Sequence, residues 1–395
     1  MAMSLPITID RRTKFLILVA ILIMWTAALS TMPFMAPWGA DLQNVHAFQQ
    51  CVAGRSPYQV DAATCGDVAS RPFYYPPFLF AFFRWARPLT LETTMYIWTA
   101  FLFASFAGIF YVWARKIVRE PASGARHEVV TFCTLLLLQY PFVFALERGN
   151  TDTVAVLFYT VAAYLFVRGH VWFAGMAAGL AAGFRLSPAI AVIVMTGGLL
   201  WGRQYVGRLT WLRWSGGALM AFVLTLLVFC RESKTYLFDV LPVYAKQLSY
   251  AAEYSHSIPS YVGDGFRHYA KLLSVGLLFP WVWAIRCMLA RGEVAIALAG
   301  SLAVSTYGQS TSFDYNLISS YPLLLLLFLR ALRTDRWSLL VFGLFAICGD
   351  RRLFAMPGAK LLTPQLHLAL QLAFLVVAAL VVARPDEKER QVQPA

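Results

Sequence analysis

A chain of 395 residues that is 59% hydrophobic and only 13% charged, with a mean hydropathy of +0.62, carries more apolar surface than one soluble core can hide. Soluble domains are about half apolar and about a quarter charged, so the chain reads as a polytopic integral membrane protein with no soluble domain large enough to act alone. Its net charge of +13 reads as topology, because Lys and Arg collect in cytoplasmic loops. A nucleic-acid footprint does not fit this composition, and no nucleic-acid partner is expected.

Arg11, Arg12 and Lys14 lead into the first predicted span, Phe15–Phe34, and argue for a cytoplasmic N-terminus. The apolar run is longer than a secretory h-region and reads as an uncleaved anchor. A long external loop follows, Met35–Leu91, opening Ala36-Pro-Trp-Gly-Ala-Asp-Leu-Gln-Asn-Val-His46. Asp41 lies just beyond the first span, and Asp41–Gly54 could form a helix lying along the membrane surface. A carboxylate there could act as a general base or as a helix N-cap. Cys51 and Cys65 share this loop and could bridge in an oxidising compartment, for about 3 kcal/mol.

The loop continues Gly54-Arg-Ser-Pro-Tyr58 and Tyr74-Tyr-Pro-Pro-Phe78. Proline pairs force extended turns and tyrosines favour the lipid–water boundary. Arg71–Pro88 therefore reads as an interfacial or re-entrant piece, with a plain aromatic belt as the competing account. Tyr58 and Tyr75 are candidate substrate contacts.

Spans Glu92–Ala114 and Val129–Leu146 flank the basic connection Arg115–Arg126. The turn Glu147-Arg-Gly-Asn-Thr-Asp152 puts three charges between two apolar helices, which is costly unless they are solvated or functional. Asn150 and Asp152 join the candidate contacts. Spans Thr153–Val167 and Trp172–Phe184 follow, the second carrying Gly175, Gly179 and Gly183 at the four-residue spacing that lets helices pack closely. Arg185 then precedes the helix-breaking Pro188. At the outer end of a span, its planar fork suits a lipid phosphate. Snorkelling to the headgroups is the other reading.

Pro188–Trp201, the basic Arg203–Arg213 and Trp214–Cys230 lead to a second long external loop, Arg231–His268. Its strip Glu253-Tyr-Ser-His-Ser-Ile-Pro-Ser-Tyr261 is of the polar, aromatic kind that sugars favour, and nominates His256 and Ser257. Tyr269–Ile285, Val294–Gly308, Tyr315–Leu329, Trp337–Gly349 and Leu366–Ala383 complete about twelve spans. Gly308-Gln-Ser-Thr-Ser-Phe-Asp-Tyr-Asn316 brings Asp314 and Tyr315 to the external side, where Asp314 equally suits a helix cap.

The expected fold is all-α: one integral membrane domain over residues 1–395, with helical or interfacial external loops at 35–91 and 231–268. Alternation leaves both termini cytoplasmic and sets the denser Lys and Arg in the short inner segments. The polar mass lies outside, unlike a transporter, which has short loops on both faces and a midplane site. There is no P-loop, His-Glu-x-x-His or Gly-x-Ser-x-Gly, and no Cys or His cluster with metal spacing. No Asp-x-Asp stands on an external loop to hold a metal–nucleotide complex.

An Asp after the first span, Gly-x-x-Pro-Tyr, Tyr-Pro-Pro, a Gly-Asn turn, then Ala-Gly, Gly-x-x-Ala-Ala and Arg-x-x-Pro run in order from Asp41 to Pro188, with a weaker likeness to about Pro322. Together they resemble the GT-C glycosyltransferases, and within them family 87, whose members include polyprenol-phosphate-mannose-dependent α-1,2-mannosyltransferases. The resemblance implies an external or periplasmic site in the cell (inner) membrane, a polyprenyl-phosphate hexose donor and a lipid or glycan acceptor. It carries the catalytic base onto Asp41 and the cationic donor contact onto Arg185, where Lys is more usual. Asn150 stands where Gln is commoner, and Asp314 near where members often carry His. No cofactor is implied; a divalent metal is compatible but not required. The alternative is a transporter or flippase of lipid-linked saccharide, which would need no base.

Overall fold

The computed structural model describes residues 10–30, 38–52, 56–60, 65–66, 73–117, 125–243, 278–307, 314–334, 337–348 and 364–383, with 272 and 276 standing alone between them. Among the described residues all the regular secondary structure is helical and there is no strand. In chain order the helices are α1 (Arg11–Ser30), α2 (Ala40–Val52), α3 (Pro77–Phe82, running into a 3-10 turn Phe83–Ala86), α4 (Leu91–Tyr111, extended by a π-turn Val112–Ile117), α5 (Arg126–Leu137) and α6 (Tyr140–Arg148). They continue as α7 (Asp152–Val167), α8 (Val171–Phe184), α9 (Ser187–Trp201), α10 (Thr210–Val228), α11 (Cys230–Thr235), α12 (Phe279–Ala290) and α13 (Val294–Ser305). A 3-10 turn, Asp314–Ser320, precedes α14 (Tyr321–Thr334), α15 (Trp337–Cys348) and α16 (Pro364–Val382).

A helix lies over the described part of every predicted span, but few are long. Among the described residues three are long and apolar enough to cross a bilayer, Leu91–Ile117, Thr210–Val228 and Asn316–Arg333, and a bent pair, α5 with α6, makes a fourth. The expected count of about twelve is therefore not reached by length and composition. Of the remaining apolar helices most are short, from Asp152–Val167 to Trp337–Cys348, and several are enclosed by protein. Every residue of α13 from Ala297 to Ser305 is buried, as expected of a helix apolar on all sides.

The predicted span Val129–Leu146 is two helices meeting at 48°. Pro141 sits in the first turn of α6, where a proline fits a helix start but not a helix interior. The break frees backbone carbonyls, and the buried Gln139 fills it. Its amide donates to the Leu135 carbonyl at 2.9 Å, to the Thr26 hydroxyl at 3.2 Å and to the Leu22 carbonyl at 3.3 Å. One side chain thus ties α5 to α1 where the helix is interrupted.

The glycine spacing on α8 has its expected result. A Cβ at Gly175 would lie 2.1 Å from the Trp214 carbonyl oxygen, and one at Gly179 would lie 2.2 Å from that of Ala218. From α10, a Cβ at Gly217 would come 2.3 Å from the Trp172 carbonyl oxygen. The two backbones touch along this seam, which fixes where α8 ends and therefore where Arg185 stands.

Two apolar cores result. The larger joins the bundle helices, with Phe132, Trp214, Trp281 and Phe328 among its buried aromatics. The smaller lies beneath the first loop. Leu42, Val45, Phe48 and Val52 of α2 and Leu79 and Phe83 of the α3 segment pack on Met95, Trp98, Val154 and Phe184. The described part of the first long loop thus forms a layer seated on the ends of α4, α7 and α8. The segment Arg71–Pro88, expected to be interfacial or re-entrant, forms the short α3 and its 3-10 turn over its described part.

Candidate active site

Two glycines hold the site's neck. Gly39 and Gly149 both have positive φ, +73° and +65°, a conformation that costs glycine little and other residues more. The Gly39 amide donates to the Glu147 carbonyl at 2.6 Å. A Cβ at Gly149 would stand 2.8 Å from the Leu42 Cβ and 3.1 Å from the Gly39 Cα. Trp98 Nε1 donates to the Gly149 carbonyl from below at 3.2 Å. The start of α2 and the α6–α7 turn are thereby clamped face to face.

That clamp brings Asp41 to Arg148. Arg148 Nη2 donates to Asp41 Oδ1 at 2.5 Å, with the carboxylate side chain 7% exposed and the arginine 31%. Asp41 is in the first turn of α2, which begins at Ala40, so it is not the residue flanking the helix start. Its negative charge there is favoured by the helix dipole. Burial holds its carboxyl above the ordinary aspartate range, while the Arg148 charge and hydrogen bond pull the other way. The charges of Arg185 and Asp152 also reach it, the first lowering and the second raising its pKa.

Arg185 follows the last residue of α8 in an extended conformation. Its guanidinium grips Asp152 with two donors, Nε to Oδ1 and Nη2 to Oδ2, the latter at 2.9 Å. Parallel forks of this kind are strong and directional. The same guanidinium lies 4.9 Å from the centre of the Tyr75 ring, within cation–π range. The Tyr58 hydroxyl donates to the Tyr75 carbonyl at 2.5 Å, and its ring packs against Phe73 and Tyr236.

The sequence candidates thus divide. Asp41, Asp152, Arg185 and Tyr75 converge on one charged neck, with Tyr58 supporting Tyr75 from behind. Asn150 is almost fully buried. Its side-chain carbonyl accepts the Asp152 amide at 2.5 Å, which fixes the start of α7. His256 and Ser257 lie outside the described residues. For Asp314 and Tyr315 the described feature is the 3-10 turn that Asp314 opens; their side chains lie outside the described set.

Arg148 was not singled out from the sequence as a site residue. The signal was a cation within a turn of three charges, but only the fold shows that its partner is Asp41, 107 positions away. Among the described residues no group of three or more His, Cys, Asp and Glu gathers to hold a metal ion. The arrangement consists of two carboxylates and two guanidiniums in a largely buried neck. It offers a proton acceptor beside cationic donors suited to a phosphate.

The profile of glycosyltransferase family 87 matches residues 73–312, a stretch that contains Tyr75, Arg148, Asn150, Asp152 and Arg185 and begins after Tyr58 and Asp41. The chain is also 23% identical over 363 residues to a polyprenol-phosphate-mannose-dependent alpha-(1-2)-phosphatidylinositol pentamannoside mannosyltransferase of Mycolicibacterium smegmatis, covering 86% of this chain and 82% of the relative. No solved structure matches. With the family profile covering more than half of it, this all-helical membrane chain is a glycosyltransferase and belongs to glycosyltransferase family 87.

Proposed function

We propose that the protein transfers a hexose, mannose by analogy with its relative, from a polyprenyl-phosphate donor to a hydroxyl of a lipid or glycan acceptor, with Asp41 as the base. The observation that carries this reading is the buried Asp41 carboxylate held by Arg148 within electrostatic reach of the Arg185–Asp152 pair.

The chemistry balances within that cluster. The acceptor O–H bond breaks and its proton passes to Asp41. The freed oxygen pair bonds the anomeric carbon, whose bond to the phosphate oxygen breaks with its electrons on the phosphate. One displacement inverts the anomeric centre. Before the step two carboxylates face two guanidiniums; once Asp41 is protonated, two cations face one anion. The positive excess arises as the leaving polyprenyl phosphate gains negative charge, and fixed charges placed where charge develops are an effective means of catalysis. Arg185, with Arg148 on the more open edge, are the donor-phosphate groups in this reading. A monophosphate donor asks for no metal–diphosphate clamp. The site faces the outer side of the membrane, a reading supported by the Cys51–Cys65 disulfide in the same layer, since such bonds persist in oxidising compartments.

Asp41→Asn tests it. The amide keeps the size and an acceptor oxygen but takes no proton at neutral pH, and loss of a general base costs about 10²–10⁴-fold in rate. Transfer from polyprenyl-phosphate mannose should fall by that factor while donor binding and thermal stability stay near wild type. Near-normal turnover in Asp41→Asn would remove the base and with it this mechanism.

A further inference from the structure

A second concavity lies at the far end of α2 from Asp41. It is a groove of about 370 Å³ between the α3 segment and the start of α11, where Arg84, Arg87 and Gln49 face Phe229 and Glu232. Arg84 and Arg87 are exposed, and neither guanidinium makes a hydrogen bond or ion pair with a described residue. We propose that this groove holds the phosphodiester headgroup of a membrane lipid and anchors the lipid acceptor, which rests on the transferase reading for its purpose but not for its binding.

Three observations carry it. First, the groove lies level with the ends of two membrane-length helices. Phe229 is the residue after Thr210–Val228, and Arg87 stands four residues before Leu91–Ile117 begins. Spanning helices end at the headgroup layer, so the two guanidiniums lie at phosphate height. Second, an apolar track leads to it. Met220, Leu224, Leu227 and Val228 lie on one side of α10 and are exposed, Val228 by 71%, and such a face suits acyl chains. Third, the rim is preset. Gln50 Nε2 donates to the Arg87 carbonyl at 2.5 Å and His46 lies 3.0 Å from the Leu89 carbonyl, while Gln49 donates to the Phe80 carbonyl. α2 therefore fixes the segment that carries both arginines.

Charge favours a phosphodiester. Two arginines against Glu232 leave one net positive charge, matching a monoanion, and planar guanidiniums bind phosphate oxygens well. Glu232 is a like charge to the phosphate and accepts hydrogen bonds from headgroup hydroxyls. Asp41 and Gln49 are eight residues apart on α2, about 12 Å along the axis. A headgroup of two or more sugars bridges that distance, so a glycolipid anchored at Arg84 and Arg87 can offer its outer hydroxyl at Asp41.

The full-length protein, purified in detergent and stripped of lipid, is titrated with dioleoylphosphatidylglycerol, with dioleoylglycerol and with inorganic phosphate, and bound adducts are counted by native mass spectrometry. The phosphatidylglycerol adduct should form on wild type and on Asp41→Asn alike. It should weaken at least about tenfold in Arg84→Gln/Arg87→Gln, which is about 1.4 kcal/mol, since both charge-assisted contacts to the phosphate are lost. Glu232→Gln should bind it more tightly, an opposite shift that a folding defect would not give. Dioleoylglycerol and inorganic phosphate should bind far more weakly. Equal phosphatidylglycerol binding by wild type and the double variant would overturn the proposal, as would equal binding of dioleoylglycerol or of free phosphate. An active Asp41→Asn with unchanged lipid binding would sink the base and spare the groove.

Discussion

Replacing Gly179 by alanine separates close backbone packing from helix propensity. The new Cβ would stand 2.2 Å from the Ala218 carbonyl oxygen and 2.9 Å from its carbonyl carbon. Both atoms are main chain, so no side chain can turn aside. Carbon contacts settle at about 3.5–4.0 Å, which forces α8 and α10 apart by about 1 Å. Overpacking of this kind costs about 1–3 kcal/mol, and alanine returns up to about 1 kcal/mol through its helix propensity. With a rigid obstacle the net loss is about 2 kcal/mol. Arg185 hangs from the end of α8, so the displacement also reaches the Asp152 pair, and about 1 Å of misplacement can cost roughly 100-fold in rate. Gly108→Ala is the control, because nothing lies within 4 Å of its added Cβ, and it should melt at or above the wild-type temperature. The assay is the fraction of monodisperse protein left after a heating series in detergent, with initial mannosyl-transfer rates alongside. If Gly179→Ala melted with Gly108→Ala and kept wild-type rates, the α8–α10 contact would not position Arg185.

Arg148→Gln removes the charge and hydrogen bond that lower the Asp41 pKa against its burial, so the acidic limb of the rate–pH profile should move to higher pH than in wild type; a limb that stays put would show that Arg148 does not act on the base. The same raised pKa means that the Asp41 contribution to stability is full below the unfolded value of 3.8 and is lost as pH rises through the folded value, a slope that Asp41→Asn should abolish in thermal melts across acidic pH. Cys51→Ser/Cys65→Ser opens a bridge with a separation of 14 residues, worth about 3 kcal/mol; wild type in strong reductant should melt with the double variant, and an unchanged melting temperature in both would deny the bridge any part in holding the first loop.

Helix positions were legible because apolar runs and breaking residues report them directly. Gly175 and Gly179 announced a close seam by spacing alone, whereas the paired prolines read as extended turns and the short α3 that Pro77 opens was not read. The division of Val129–Leu146 was not read, since Gln139 and Pro141 look like minor interruptions until Gln139 is seen bonding α1. The loop layer was legible as polar and aromatic, and Asp41 as its candidate base. The pairings within it were not. Asp41 with Arg148 and Asp152 with Arg185 join positions 107 and 33 residues apart, and no local pattern encodes which cation meets which carboxylate. Arg185 read as a phosphate ligand from its place at a helix end, and its guanidinium forks onto Asp152. Asn150 read as a substrate contact, but its carbonyl is used within its own turn.

Those pairings bear on why the charges are kept. A buried ion pair is weak evidence for stability, because desolvation often cancels the attraction and apolar residues of similar size do as well. Two such pairs in one neck are therefore poorly explained as struts. Asp41 makes the point: burial outweighs Arg148 in setting its pKa, so the fold holds that carboxylate at a cost. A helix cap would sit cheaply at the surface, and a snorkelling arginine would face the headgroups. Here Gly39, Gly149 and Trp98 enclose the first pair, while Tyr58 and Tyr75 back the second. Charges enclosed and oriented in advance need little rearrangement when a proton arrives and a phosphate departs. The same enclosure that makes the cluster a poor stabiliser suits it to the transfer chemistry of its family.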